Sequence, residues 1–210
     1  MRNLKKSGQL KLFRKCIFIT AAVIFIWLAQ GLGASPVKET ADPQDSLIIT
    51  DMRGREVAVP KEINGLVALE AGSLRLLSYM DSADRVIAVE DTGHGREITA
   101  HDFFYLATYR LAYPGLRELP SIGSSANHES IIAAAPDLII SSAMEVEKLD
   151  HLQNLLGIPV FAVNADLEIG DREGFFRQLR TLGRVLGKEK RAQELMDGIE
   201  AALKDLETRA

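Results

Sequence analysis

GLVALEAGSLRLLSYMDSADRVIAV, residues 65–89, decides the fold. Its first five residues are an unbroken apolar run, too short for a helix and bounded by Gly65, as a strand buried on both faces reads. Leu74, Leu76, Leu77 and Met80 then recur at helical spacing, with Ser73 expected as the N-cap. RVIAV (85–89) is a second apolar strand. Two such strands joined by a helix pair in parallel, and a parallel sheet is covered by helices on both faces. The fold class is therefore α/β.

Downstream the pattern recurs. PSIG (120–123) precedes a polar turn and a helix expected over about 128–134, followed by the strand PDLIIS (136–141), a helix over about 145–156 and the strand IPVFAV (158–163). Residues 91–119 exceed an ordinary strand-to-helix connection and predict a helix of their own over about 97–109. Its aromatic residues Phe103, Phe104, Tyr105 and Tyr109 suit packing onto the sheet or, as the alternative, contact with a ligand. Upstream, residues 47–50 and 56–59 form a hairpin around Asp51, Met52, Arg53 and Gly54, closed by Pro60. From Asp171 the chain turns helical as far as Gly187, a helix end. A second helix carries Ala192, Leu195, Met196, Ile199, Leu203 and Leu206 as one apolar stripe.

Working outward to the amino terminus, residues 1–34 hold six of the 25 basic residues and no acidic one, leaving 19 basic against 29 acidic in the rest. Lys15 is followed by CIFITAAVIFIWLA (16–29), fourteen uncharged residues, and then by the small-residue stretch 31–34. This is the layout of a secretory signal, shorter than the roughly 20 residues that span a bilayer. An uncleaved N-terminal anchor is the alternative. SPVKETADPQDS (35–46), with two prolines and alternating charge, reads as a linker. The expected organisation is a signal peptide over 1–34, a linker over 35–46, an N-terminal ligand-binding lobe over 47–165 and a helical segment over 166–210. The body is placed in the periplasm or otherwise outside the cytoplasm.

Composition removes several function classes. A net-acidic body in a chain with 6 % aromatics does not suit phosphate neutralisation, so nucleic acid is not an expected partner. The single cysteine, Cys16, opens the apolar stretch, so the body has no disulfide, thiolate metal site or cysteine nucleophile. No Gly-rich turn leads into Lys-Ser or Lys-Thr, and Ser73, Ser124 and Ser141 lack a nucleophile-elbow motif. His94, His101, His128 and His151 show neither HxxxH nor HxH spacing, so no protein-ligated metal site is expected. His101 and His151 read as exposed helix residues. His94 and His128 lie on loops where they could contact a bound metal complex.

The small polar loops are the informative ones. Residues 71–73, 93–95, 123–127 and 141–144 all follow predicted parallel strands, at the edge where open α/β sheets bind ligands. The candidate ligand-binding residues are Ala71, Gly72, Ser73, Thr92, His94, Ser124, Ser125, Asn127, Ser142 and Met144. No catalytic residue is proposed.

TDMRGREVAVP (50–60), GLVAL with its small-residue loop, PSIGSSANHESIIAAAPDLIIS (120–141) and LGIPVFAV (156–163), in that order, resemble the substrate-binding proteins of ABC importers. Specifically they resemble the periplasmic-binding class that carries iron complexes, haem and vitamin B12. The resemblance implies two α/β lobes joined by one long helix, with ligand in a shallow cleft between them and little lobe movement on binding. It places the family's permease-docking glutamate on Glu129, which would pair with arginines of the membrane subunits. Where the family often has a glutamate soon after the first strand's loop, this sequence has Arg75. The second lobe is read as absent, the sequence ending within what resembles the joining helix.

The expected function is therefore a non-enzymatic, monomeric binding component of an ABC importer for a ferric siderophore, haem or a corrinoid. Its partners would be the permease subunits with their cytoplasmic ATPase. It needs no cofactor of its own, since iron or cobalt would arrive inside the ligand. The alternatives are a truncated or frame-shifted fragment without effective binding and a periplasmic enzyme acting on a metal complex.

Overall fold

The computed structural model describes residues 45–90, 107–123, 127–164 and 171–209. The expected signal peptide and nearly all of the linker lie outside them, as do Phe103, Phe104 and Tyr105.

Strands β1 (Ser46–Thr50) and β2 (Glu56–Pro60) pair antiparallel, with Ile49 opposite Val57 and Leu47 opposite Val59. This is the hairpin read from the sequence. Gly54, at φ +82°, supplies the left-handed residue of its turn. Ile49, Val57 and Val59 face the core, while Leu47 and Ile48 are exposed.

The main sheet, among the described residues, contains β3 (Leu66–Leu69), β4 (Val86–Val89), β5 (Leu138–Ser141) and β6 (Val160–Ala162). The order is β4-β3-β5-β6, all parallel. PSIG contributes one parallel bridge, Ser121 against Val89, instead of a full strand. A bulge between β3 and β4 skips Ile87 and keeps the faces in phase, so Leu66 pairs with Val86 and Val67 with Ala88.

Helix α1 (Glu70–Tyr79) follows β3 directly. α2 (Thr108–Ala112) and a 3-10 turn (Pro114–Arg117) lie in the described part of the long connection, α3 (His128–Ala134) and α4 (Val146–Leu156) flank β5, and α5 (Arg172–Leu186) and α6 (Glu189–Arg209) follow β6. Ser73 does not cap α1. The helix starts four residues earlier, with Leu69 extended at the N-cap and no side-chain cap bond, so Ser73 is carried into the helix and buried. Asp171 does cap α5, accepting from Gly174 N–H at 2.8 Å, and Gly187 ends it at φ +64°.

The pleat divides the core in two. Leu66, Ala68, Leu138, Ile140 and Phe161 pack with Leu74 and Leu77 of α1, the hairpin, Phe176 and Leu182 of α5, and Ala192 and Met196 of α6. Val67, Leu69, Ile139, Val160 and Ala162 face the opposite way, against Ile131 of α3 and Leu149 and Leu152 of α4. The first half of the α6 stripe thus covers the sheet, whereas Leu206 stays 63 % exposed.

The hairpin is tied to the sheet by Asp51. Its buried carboxylate accepts from Arg53 N–H, Arg55 N–H, Arg55 Nε and, across 111 residues, Ala162 N–H at 3.2 Å. Arg55 also donates to Val160 O and pairs with Asp150 at 2.8 Å. Asp51→Ala leaves Arg55 Nε and three main-chain N–H groups without their acceptor, while the guanidinium keeps Asp150 and Val160 O. Urea unfolding is expected to show a loss of about 3–5 kcal/mol, the range for breaking a buried pair from one side, with Asp51→Asn losing less.

Candidate functional site at the sheet's switch point

From β3 the chain moves to one side, to β4, and then returns to the other side at β5. Where strand order reverses this way, the connections leave the carboxyl ends of the two central strands in opposite directions and open a crevice. The residues at that crevice are Leu69 and Glu70 on one side and Ser141 and Ser142 on the other.

Because α1 follows β3 without a loop, the chain must turn sharply at one residue. Glu70 takes that turn at φ +62°, a left-handed conformation costing a non-glycine residue roughly 1–2 kcal/mol. Three contacts hold it there. Its backbone N–H donates to Glu90 Oε2 at 2.9 Å, and its carboxylate accepts from Ser142 N–H at 2.7 Å and Ser141 Oγ at 3.1 Å. Glu90 follows β4, so three neighbouring strands deliver Glu90, Glu70 and the Ser141–Ser142 pair side by side. The hydroxyls of Ser73 and Ser142 are buried and have no hydrogen-bond partner among the described residues. Burial pushes the Glu90 carboxyl above its usual range, the Glu70 charge adds to this, and the N–H donated by Glu70 opposes it.

The family model for periplasmic binding proteins matches residues 105–210, half of the chain. The chain belongs to the periplasmic binding protein family. A curated relative, an uncharacterized ABC transporter substrate-binding lipoprotein of Bacillus subtilis (strain 168), is 23 % identical over 207 residues, covering 88 % of this chain. The chain spans 58 % of that relative's length. Among solved structures, the molybdate periplasmic binding protein MolA of a Haemophilus influenzae ABC transporter superposes with a TM-score of 0.63 at 22 % identity, over 78 % of this chain and 53 % of MolA. An ABC-type Fe3+-hydroxamate transport protein of Saccharomonospora viridis DSM 43017 gives 0.55 at 21 %, over 78 % and 56 %. The family and these neighbours are transport binding proteins, not enzymes.

In this periplasmic-binding fold the residues singled out from sequence fall in different places. Ala71 and Gly72 are half-buried in the first turn of α1, and Ser73 is fully buried beside them. Ser142 reaches Glu70 through its backbone. Asn127 caps α3, its Oδ1 accepting from Glu129 N–H at 3.0 Å and Ser130 N–H at 3.3 Å. Met144 packs against the core on the α3 and α4 side. Thr92, His94, Ser124 and Ser125 lie outside the described residues. Glu129 is exposed in the first turn of α3. His128 and His151 are exposed, and no group of three metal-ligating side chains occurs among the described residues. A separate groove of about 370 Å³, lined by Ala83, Asp84, Val86, Tyr113 and Leu116, includes the first residue of β4, at the opposite edge of the sheet from the crevice.

Glu70 and Glu90 were not among the residues that the sequence nominated, yet a signal for them exists. GLVAL and RVIAV are each followed by a glutamate, and an acidic residue directly after a buried parallel strand stands at the edge of the sheet where α/β folds bind ligands.

The raised Glu90 carboxyl has a consequence for stability. The folded chain keeps this proton to higher pH than the unfolded chain, so stability falls as pH rises from the usual carboxylate range through the raised value. Glu90→Gln, which retains an acceptor for Glu70 N–H, is expected to flatten that slope in urea unfolding between mildly acidic and neutral pH. An unchanged slope would assign the dependence to another group.

Proposed function

We propose that this chain is a lobe of the extracytoplasmic substrate-binding component of an ABC importer, taking a ferric siderophore, haem or a corrinoid as cargo. The observation that carries the reading is the crevice at the switch point, bordered by carboxylates and by hydroxyls left without partners, in a member of the periplasmic binding protein family. Buried polar atoms without partners are uncommon in folded proteins, and a ligand is one thing that supplies the missing bonds. Cargo of the iron-complex kind is supported by the Fe3+-hydroxamate neighbour and by the order of motifs along the chain. In this reading residues 1–34 export the chain, residues 47–165 supply one wall of the cleft, and residues 166–210 lead toward a second lobe. Iron or cobalt comes with the ligand, so the chain needs no metal ligands of its own.

Docking to the permease falls to Glu129. α3 is the crossover helix leading into β5, so its first turn lies at the carboxyl edge of the sheet, with the Glu129 side chain exposed to a partner's arginine.

Calorimetric titration of the folded chain with a ferric hydroxamate, haemin and cyanocobalamin is expected to give saturable binding to one of them. Absence of binding to all three would sink the cargo assignment. Glu129→Arg is expected to leave that affinity unchanged while abolishing ligand-stimulated ATP hydrolysis by the reconstituted importer. Full stimulation by the variant would remove Glu129 from the docking role.

A further inference from the structure

We propose that Glu70 sets the specificity of the crevice: its carboxylate occupies the position where a small tetrahedral oxyanion would bind, and so excludes such ions. The inference rests on the crevice being the ligand site. Ser142 N–H and Ser141 Oγ, at the end of β5, are the donor types that hold an oxyanion, one main-chain amide and one hydroxyl. Both are directed at Glu70 Oε2, at 2.7 and 3.1 Å. The chain supplies its own anion to its own donors.

Two further features fix it there. The Glu70 backbone is pinned in its left-handed conformation by the N–H donated to Glu90, so the side chain leaves the end of β3 in the direction of β5. Glu90 places a second carboxylate on the other side of Glu70, and like charges at such range oppose the approach of an anion. Close in sequence to these groups are two buried hydroxyls with no partner among the described residues. Ser142 Oγ belongs to the residue whose N–H meets Glu70, and Ser73 lies three residues along α1 from Glu70. Their residues are 4 % and 0 % exposed. A carboxylate pair with free hydroxyls suits a ligand presenting hydrogen-bond donors or positive charge, and the donors that would serve an oxyanion are already taken.

The test uses sodium sulfate and sodium molybdate as probes, followed by calorimetry and by the amide resonance of Ser142 in an isotope-labelled chain. Glu70→Gly vacates the donors and adopts the same φ without strain. It is expected to show a saturable shift of the Ser142 amide at oxyanion concentrations at least about tenfold below any that move this resonance in the wild-type chain. Glu70→Asn also tolerates this φ with a side chain one carbon shorter, and replaces the glycine variant if that loses its melting transition. Equal oxyanion binding by wild type and variant overturns the proposal, as does a folded variant that binds no oxyanion. These titrations are independent of the ferric hydroxamate, haemin and cyanocobalamin series. Failure of the cargo assignment and failure of the Glu70 proposal are therefore read from different experiments.

Discussion

Covering β3 and β5 on both faces is the constraint from which the arrangement follows. Every residue of these two strands is buried, so neither face of the sheet centre can be left to water. α3 and α4 close one face. The other needs α1, the β1–β2 hairpin, α5 and the first half of α6 together, because α1 alone is ten residues long and spans only part of the width. The hairpin is joined to this assembly by Ile49, Val57 and Val59 in the shared core and by Asp51, whose carboxylate organises the turn and reaches β6 in one step. Main-chain pairing between Met52 N–H and Ala162 O at 3.1 Å completes the junction.

The strand-helix alternation was legible because each buried strand is a short apolar run and each helix an interrupted one. α3 and the hairpin fall within a residue of expectation, and α5 ends at the glycine singled out for it. Where the reading slipped, a tertiary contact outweighed a local preference. Ser73 is a good N-cap residue, but Glu70 is held at the turn by donors and acceptors on β4 and β5, and the helix begins there instead. PSIG looked like a further strand, yet Pro120 has no N–H to give, and the pairing shrinks to two bonds around Val89.

The site was legible as an edge but not as a chemistry. Parallel strands followed by small polar loops pointed to this edge of the sheet, where Ser142 follows β5 and Ser73 lies in the first turns of α1. The two glutamates were not, because a charged residue after an apolar run reads equally as the first exposed residue of a loop. What distinguishes Glu70 is a backbone angle and contacts to residues 71 and 72 positions away, neither of which a local pattern encodes. Asn127, by contrast, has a local task at the start of α3 that accounts for its type without a ligand.

The shared core has a consequence for when the lobe takes shape. Val57 and Val59, near the start of the folded part, lie in one hydrophobic cluster with Ala192 and Met196, near its end. Arg85 donates to Leu186 O, and Arg191 to Tyr79 O, across more than a hundred residues. Closing such distant contacts carries its loop entropy before the packing that rewards it, which slows folding. A ribosome releasing this chain from the amino end has to expose Met196 before that face of the sheet is covered. Until then that face of the sheet lacks part of its cover, and its apolar strands are open to aggregation.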